Sequence, residues 1–303
     1  MKTMQHPQWP PLPLPQWRDT RDTLQMWMQI AGKICLALTP RVNHFWNITF
    51  QITSRGLTTP ALTYQDRTFT LTFDFIAHEV VLQLSDGTRE TIPMRPQTVA
   101  DFYAAMMAML KRAGIEVRIW TMPVEVPNPI RFEQDTMHRS YDADAARRCW
   151  EVLLAIKPVL ESFRAEFIGK CSPVHFFWGG FDVAVTRFSG RRAPERPGAD
   201  AMTRESYSHE VISHGWWPGG GAIDEPAFYA YAAPEPEGFK TARVEPAAAF
   251  YSSDLSEFLL PYEAVRTAPN PEADLRAFLR TTYDAAAERA RWDRQNLERT
   301  ARI

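Results

Sequence analysis

The run TFTLTFDFI at residues 68–76 alternates without a break, with Phe69, Leu71, Phe73 and Phe75 on one parity and Thr68, Thr70, Thr72 and Asp74 on the other. A period of two puts successive side chains on opposite faces of an extended chain, so this stretch predicts a half-buried β-strand. Such a strand needs hydrogen-bonded neighbours and an apolar cover. HEVVLQL at 78–84 continues the extended pattern, and Ser85-Asp86-Gly87 is a hairpin-turn signal. NHFWNITFQIT at 43–53 predicts another half-buried strand, with His44, Trp46, Ile48, Phe50 and Ile52 sharing one parity, and IEVRI at 115–119 a further one.

Helical patterns flank these runs. Asp19 or Thr20 can cap a helix whose apolar positions Leu24, Trp27, Ile30, Ile34 and Leu38 recur every three to four residues before Pro40. Residues 97–113 predict a second helix. Residues 140–167 predict a third, which Pro158 should bend or split, and Glu272 to Arg299 a long, charge-laced terminal one. The second half also carries strands: SPVHFFWGGFDVAVTRFSGR at 172–191, SHEVISHGWW at 208–217, FYAYA at 228–232 and the strand-like FLLPYEAV at 258–265. The expected class is α+β, an antiparallel sheet built from two similar halves with helices packed on it as one compact unit.

Two pairs of segments suggest where the halves come from. His44 and His175, and again His78 and His209, are each separated by 131 positions, with Phe50 opposite Phe181 and His78-Glu79-Val80-Val81 opposite His209-Glu210-Val211-Ile212. This spacing points to an internal duplication. The expected division is a proline-rich arm at 1–16, a first half at 17–123, a linker at 124–135 and a second half at 136–303. The arm, WPPLPLPQW at its end, favours polyproline II and is expected to pack through Trp9 and Trp17.

Composition narrows the function. The 303 residues are 45% hydrophobic, enough for a substantial core, and 34 basic against 36 acidic side chains leave a net charge of −2. No overall basic field draws the chain to nucleic acid or an anionic membrane, so a small-molecule or protein partner is expected, with a small-molecule ligand the leading reading. The apolar stretch MWMQIAGKICLAL is short and interrupted by Gln29 and Lys33. With no signal-peptide pattern, the expectation is a soluble cytoplasmic protein. Cys35, Cys149 and Cys171 form no CxxC pair, and packing is the expected role of the first two.

No Walker A loop, G-x-S-x-G elbow or G-x-G-x-x-G follows a strand, and the two histidines of SHEVISH are five residues apart, which does not match a zincin helix. What remains is a histidine constellation. His44 and His175 have the parity of their apolar neighbours, and a duplicated arrangement would bring them together with His78, His209, Glu79 and Glu210. Those four imidazoles are the candidate ligands of a divalent transition metal; the alternative is that each histidine bonds a backbone carbonyl in the sheet. His175, His209 and Glu210 are the candidate catalytic groups. Arg187, inward by parity, needs an anionic partner such as Glu210, Glu263 or a bound substrate. His138 is expected near a helix start capped by Ser140, Tyr141 or Asp142. Trp178, His214, Trp216 and Trp217 are candidates for substrate binding, and with Phe228, Tyr229 and Tyr231 they suit a stacking pocket or a plain aromatic core.

NHFWNITFQITSRGLTTP, FDFIAHEVV, SPVHFFWGGFDVAVTRFSGR, SYSHEVISHGWWPG, PAFYAYAAPEP and FLLPYE resemble the sequences of a bacterial family known as domain of unknown function 5996. The resemblance runs from about Trp17 to Trp292. It implies a single-family protein and brings no catalytic residues. The expected function is an enzyme acting on a small anionic or aromatic metabolite in a pocket between the halves; the alternative is a non-catalytic small-molecule-binding or protein-interaction protein.

Overall fold

The computed structural model describes residues 9–221 and 223–299, so residues 1–8 of the predicted arm lie outside the described residues. The chain divides into two compact units. One comprises residues 15–151 with 176–181, the other 9–14, 152–175 and 182–299. The division falls inside a helix between Glu151 and Val152, not at the proline-containing segment 124–135. That segment belongs to the first unit, where Phe132 is fully buried and Gln29 exchanges two hydrogen bonds with the backbone of Val124, at 2.8 and 2.9 Å.

In the first unit α1 (Arg18–Leu38) precedes six short strands: β1 (Gln51–Ile52), β2 (Gly56–Thr58), β3 (Leu62–Tyr64), β4 (Arg67–Asp74), β5 (Glu79–Leu84) and β6 (Arg89–Pro93). They form an antiparallel sheet in the order β1-β2-β4-β5-β6, with β3 also on β4. The register sets Phe69 opposite Leu84, Leu71 opposite Leu82 and Phe73 opposite Val80, all buried, as the alternation of β4 requires. α2 (Val99–Arg112) starts where the Thr98 hydroxyl accepts the Asp101 amide at 3.0 Å, and its Phe102 stacks on Trp27 of α1 at 4.5 Å.

Of two further strands expected in this unit, one forms only at its end and the other does not form. Residues 43–48 form a 3₁₀ turn with His44 and Phe45 in the left-handed region, and only Gln51–Ile52 of the predicted stretch is a strand. Ile115 to Ile119 keep an inward-outward alternation, but this segment has no ladder partner among the described residues. Side-chain parity describes an extended chain; a strand also needs a neighbour's backbone.

α3 (Ala143–Ala165) carries the chain from one unit to the other, and Pro158 does not split it. One lost backbone bond is offset by the buried side chains around it, including Ile156, Val159, Leu160 and Phe163. The second sheet has the order β11-β12-β10-β9-β8-β7, from β7 (His175–Phe177), β8 (Asp182–Arg192), β9 (His209–Trp217), β10 (Ala227–Ala233), β11 (Phe250–Ser252) and β12 (Glu257–Pro261). α4 (Ala201–Ser206) ends the loop after β8. α5 (Tyr262–Arg266) and α6 (Pro271–Arg289) pack on the central strands. The predicted terminal helix breaks after α6, because the chain turns at Arg291, φ 52°, to bury Trp292 against Phe167 and Tyr283 before α7 (Arg294–Leu297). The end of the arm packs as expected: Trp9 lies 6.5 Å from Phe228 and 6.1 Å from Tyr262, whose hydroxyl donates to the Pro10 carbonyl.

The architecture is therefore α+β with two antiparallel six-stranded sheets. The 131-residue spacing does not carry one onto the other element by element. It maps β5 onto β9, but β4 onto the segment containing α4, and α2 onto one that begins inside β10.

Candidate functional site

The predicted histidines occupy unlike settings. His44 is buried in its 3₁₀ turn with its ring 5.1 Å from that of Trp46. His78 sits at φ 52° in the β4–β5 turn, its Nδ1 2.8 Å from the Tyr141 hydroxyl. His175 is buried at the start of β7, and desolvation, with the Arg164 charge, pulls its pKa down to about 4. His209 is half-buried, with Nδ1 3.0 Å from the Ser208 hydroxyl, and burial, Lys170 and Arg192 lower its pKa. Glu210 is occupied by Arg191, whose Nε and Nη2 donate to it at 2.9 and 2.7 Å, and by the Ser189 hydroxyl. Among the described residues no three His, Cys, Asp or Glu side chains are grouped so as to hold a metal ion. His138 pairs with Asp135, and the cap of α3 is Asp142, which accepts the Ala145 amide at 3.0 Å.

Arg187 points inward as its parity requires and is 2% exposed, but neither Glu210 nor Glu263 meets it. Its guanidinium donates instead to the Phe163 carbonyl near the C-terminus of α3. It lies 3.5 Å from the Phe163 ring centroid and 4.3 Å from that of Tyr283. The negative end of the helix dipole and the faces of two rings supply the field that a carboxylate was expected to give. His214 is fully buried, with Nε2 3.0 Å from the Thr282 hydroxyl and its ring edge-on to Phe163. Trp178 is buried in the first unit and donates to the Ile48 carbonyl at 2.8 Å. Trp216 lies in the second core, and Trp217 is half-buried at the end of β9.

The other face of the second sheet is chemically distinct. Register puts Ala184 and Thr186 of β8 opposite Gly215 and Ser213 of β9, and these opposite Tyr229 and Tyr231 of β10. The Tyr229 hydroxyl donates to Asp182 Oδ2 at 2.5 Å, and its ring stacks on Tyr231 with centroids 6.1 Å apart. The Tyr231 hydroxyl is 3.1 Å from that of Tyr207. Gly215 makes this possible, because a Cβ there would sit 2.3 Å from the Tyr229 ring. Burial, reinforced at Tyr229 by the Asp182 charge, raises both phenols well above their ordinary pKa, so they remain neutral donors.

Beside the phenols opens a cavity of about 390 Å³, walled by Arg196, Tyr207, Tyr231, Glu235, Ser256 and Glu257. Glu257, the first residue of β12, has no side-chain hydrogen bond or ion pair among the described residues. Desolvation, and then the Asp182 charge, push its pKa up to about 7. On the same wall, the Arg196 guanidinium lies 4.1 Å from the Tyr207 ring centroid. The wall thus combines a carboxyl able to take or give a proton near neutrality, two phenols and an exposed cation.

This combination sits within a chain whose match to one family model runs from residue 9 to 299. The chain belongs to DUF5996, a family of unknown function. No curated protein and no solved structure matches it. The tyrosines of this family member stood out in sequence as part of an aromatic-rich segment, and FYAYA, with Tyr229 and Tyr231 on the parity opposite Phe228, carried the signal that they share a face. Glu257 and Arg196 did not stand out, because one opens an ordinary strand and the other lies in a loop with several arginines and prolines.

Proposed function

We propose that the protein is an enzyme acting on a small metabolite, with the cavity beside β10 and β12 as its site and Glu257 as the group that moves a proton. The observation that carries this reading is an unpaired Glu257 carboxyl, with a pKa near 7, on the wall of a cavity sized for a metabolite. Arg196 would anchor an anionic group of the substrate, and the Tyr207 ring would offer it a stacking surface. The Tyr207 hydroxyl, 3.1 Å from that of Tyr231, is set to donate to an oxygen that gains charge during reaction. Burial, reinforced by the charge of Asp182, which Tyr229 holds in place, keeps Glu257 able to exchange a proton near neutral pH. The metal-dependent version is not carried forward, since the described residues provide no ligand set.

The competing reading, binding without turnover, is disfavoured by a pair of titratable groups on the cavity wall already within hydrogen-bond reach, Tyr207 with Tyr231. The test is a thermal-shift screen of small carboxylates, phosphates and aromatic acids, followed by turnover assays on the hits. Glu257→Gln should leave binding within a few-fold and remove turnover, while Arg196→Gln should weaken binding about 10-fold or more. Turnover by Glu257→Gln equal to that of the unaltered protein would overturn the assignment.

A further inference from the structure

Lys33 lies in α1 of the first unit, far along a helix whose neighbouring residues Gln29, Ile30, Ala31, Ile34 and Cys35 are all buried. The residue is 4% exposed, yet it has no carboxylate partner and no hydrogen bond among the described residues. Lysine is almost never enclosed without a counter-charge, because its ammonium is strongly hydrated. What Lys33 meets is an indole: its Nζ lies 4.7 Å from the ring centroid of Trp120. Trp120 is 64% exposed, an unusual position for the largest apolar side chain.

Trp120 is held out by an anchored segment. Gln29, one turn before Lys33, clamps Val124 through two hydrogen bonds, and the Thr121 carbonyl accepts the Phe132 amide at 3.0 Å. The Thr121 hydroxyl is further bound by Arg131 and Glu133. The result is a buried lysine whose amine lies against the ring of an anchored and largely exposed tryptophan. Desolvation lowers the Lys33 pKa to about 8, so more of it is neutral amine at pH 7 than of an ordinary lysine.

We propose that Lys33 is a reactive-amine site that takes aromatic aldehydes or ketones as imines, with Trp120 as the surface on which the carbonyl compound stacks. The neutral Nζ lone pair attacks the carbonyl carbon and forms a C–N bond. The carbonyl oxygen then leaves as water with the two amine hydrogens, giving a C=N bond with no change in oxidation state. The ring excludes water from one side of the amine and favours a flat electrophile.

The test uses the full chain at pH 7.5 with substoichiometric 4-nitrobenzaldehyde. Cyanoborohydride supplies hydride to reduce the imine to a stable secondary amine, and the labelled peptides are quantified by mass spectrometry. Lys33 should carry at least about 10-fold more label than either exposed lysine, Lys111 or Lys240. Because Trp120 is mostly outside the core, Trp120→Ser should fold and lose most of that advantage, while Trp120→Phe should keep it. Labelling of Lys33 at or below that of Lys111 and Lys240, or an advantage untouched by Trp120→Ser, would overturn the proposal.

Discussion

Asp74 in the first sheet and Glu257 in the second are both strand carboxylates drawn partly out of water, yet they lie on opposite sides of the usual carboxylate range. Burial pushes both upward. At Asp74 that push is outweighed by the amides of Ala77 and Ile76, each at 2.9 Å, and by Arg55 at 2.5 Å. Its neighbours are treated alike: Glu79 pairs with Arg89, and Glu90 with Arg112. Glu257 has no such partner and faces Asp182, a second acid. The contrast teaches which polar face serves the fold. Where each acid has its donor, the charges are structural; where an acid is left without one beside a cavity, the energy is held in a group able to exchange a proton.

The comparison can be broken most forcefully at the glycine that admits each sheet's close approach. A Cβ on Gly56 would lie 1.8 Å from the Phe73 carbonyl oxygen, and one on Gly215 would lie 2.4 Å from that of Val183 as well as against Tyr229. Each Gly→Ala change should cost about 3 kcal/mol in urea denaturation, because backbone must move. Only Gly215→Ala should also abolish ligand stabilisation, by displacing Tyr229. Next in size is His175, a base whose folded pKa of about 4 lies below its unfolded value. Its neutral form stabilises the fold fully above about pH 6.5, and that contribution is lost as pH falls through about 4. His175→Asn should therefore flatten the acid limb of stability by on the order of 2 kcal/mol; an unchanged slope would remove His175 from the account.

Glu257 has the opposite sign. Its folded pKa is raised, so its contribution is complete below the ordinary carboxylate value and is lost as pH rises through about 7. Glu257→Gln should lack that decline and be more stable than the unaltered protein at pH 8 by about 1 kcal/mol. Asp182→Asn should lower the midpoint of the decline, which a titration of thermal midpoints against pH would detect. The smallest effect is expected on the structural side, where Glu90→Gln breaks an exposed pair with Arg112 and should change stability by about 0.5 kcal/mol or less.

Much of the fold was legible in the sequence. The alternation at 68–76 became β4, the turn at Ser85-Asp86-Gly87 became the β5–β6 hairpin, and the spacing from Leu24 to Leu38 became α1. The site was less legible. Histidine is the familiar ligand and base, but the described histidines are each set into separate local arrangements. The spacing of 131 residues carries β5 onto β9 but not β4 or α2 onto a matching element, so it extends over short segments and not over the order of elements.

Periodicity, caps and turn residues determined the elements, since these depend on neighbours within a few positions and on the geometry of a single chain. Tertiary structure alone decided which polar groups would find partners. Asp182, Tyr229 and Glu257 are far apart in the chain, and only strand order makes them neighbours. Arg187 shows the same rule from the other side: parity sent it inward, but the carbonyl and rings that receive it belong to helices distant in sequence. Desolvation and charge act through space, so the groups that set a pKa are the ones the fold brings near.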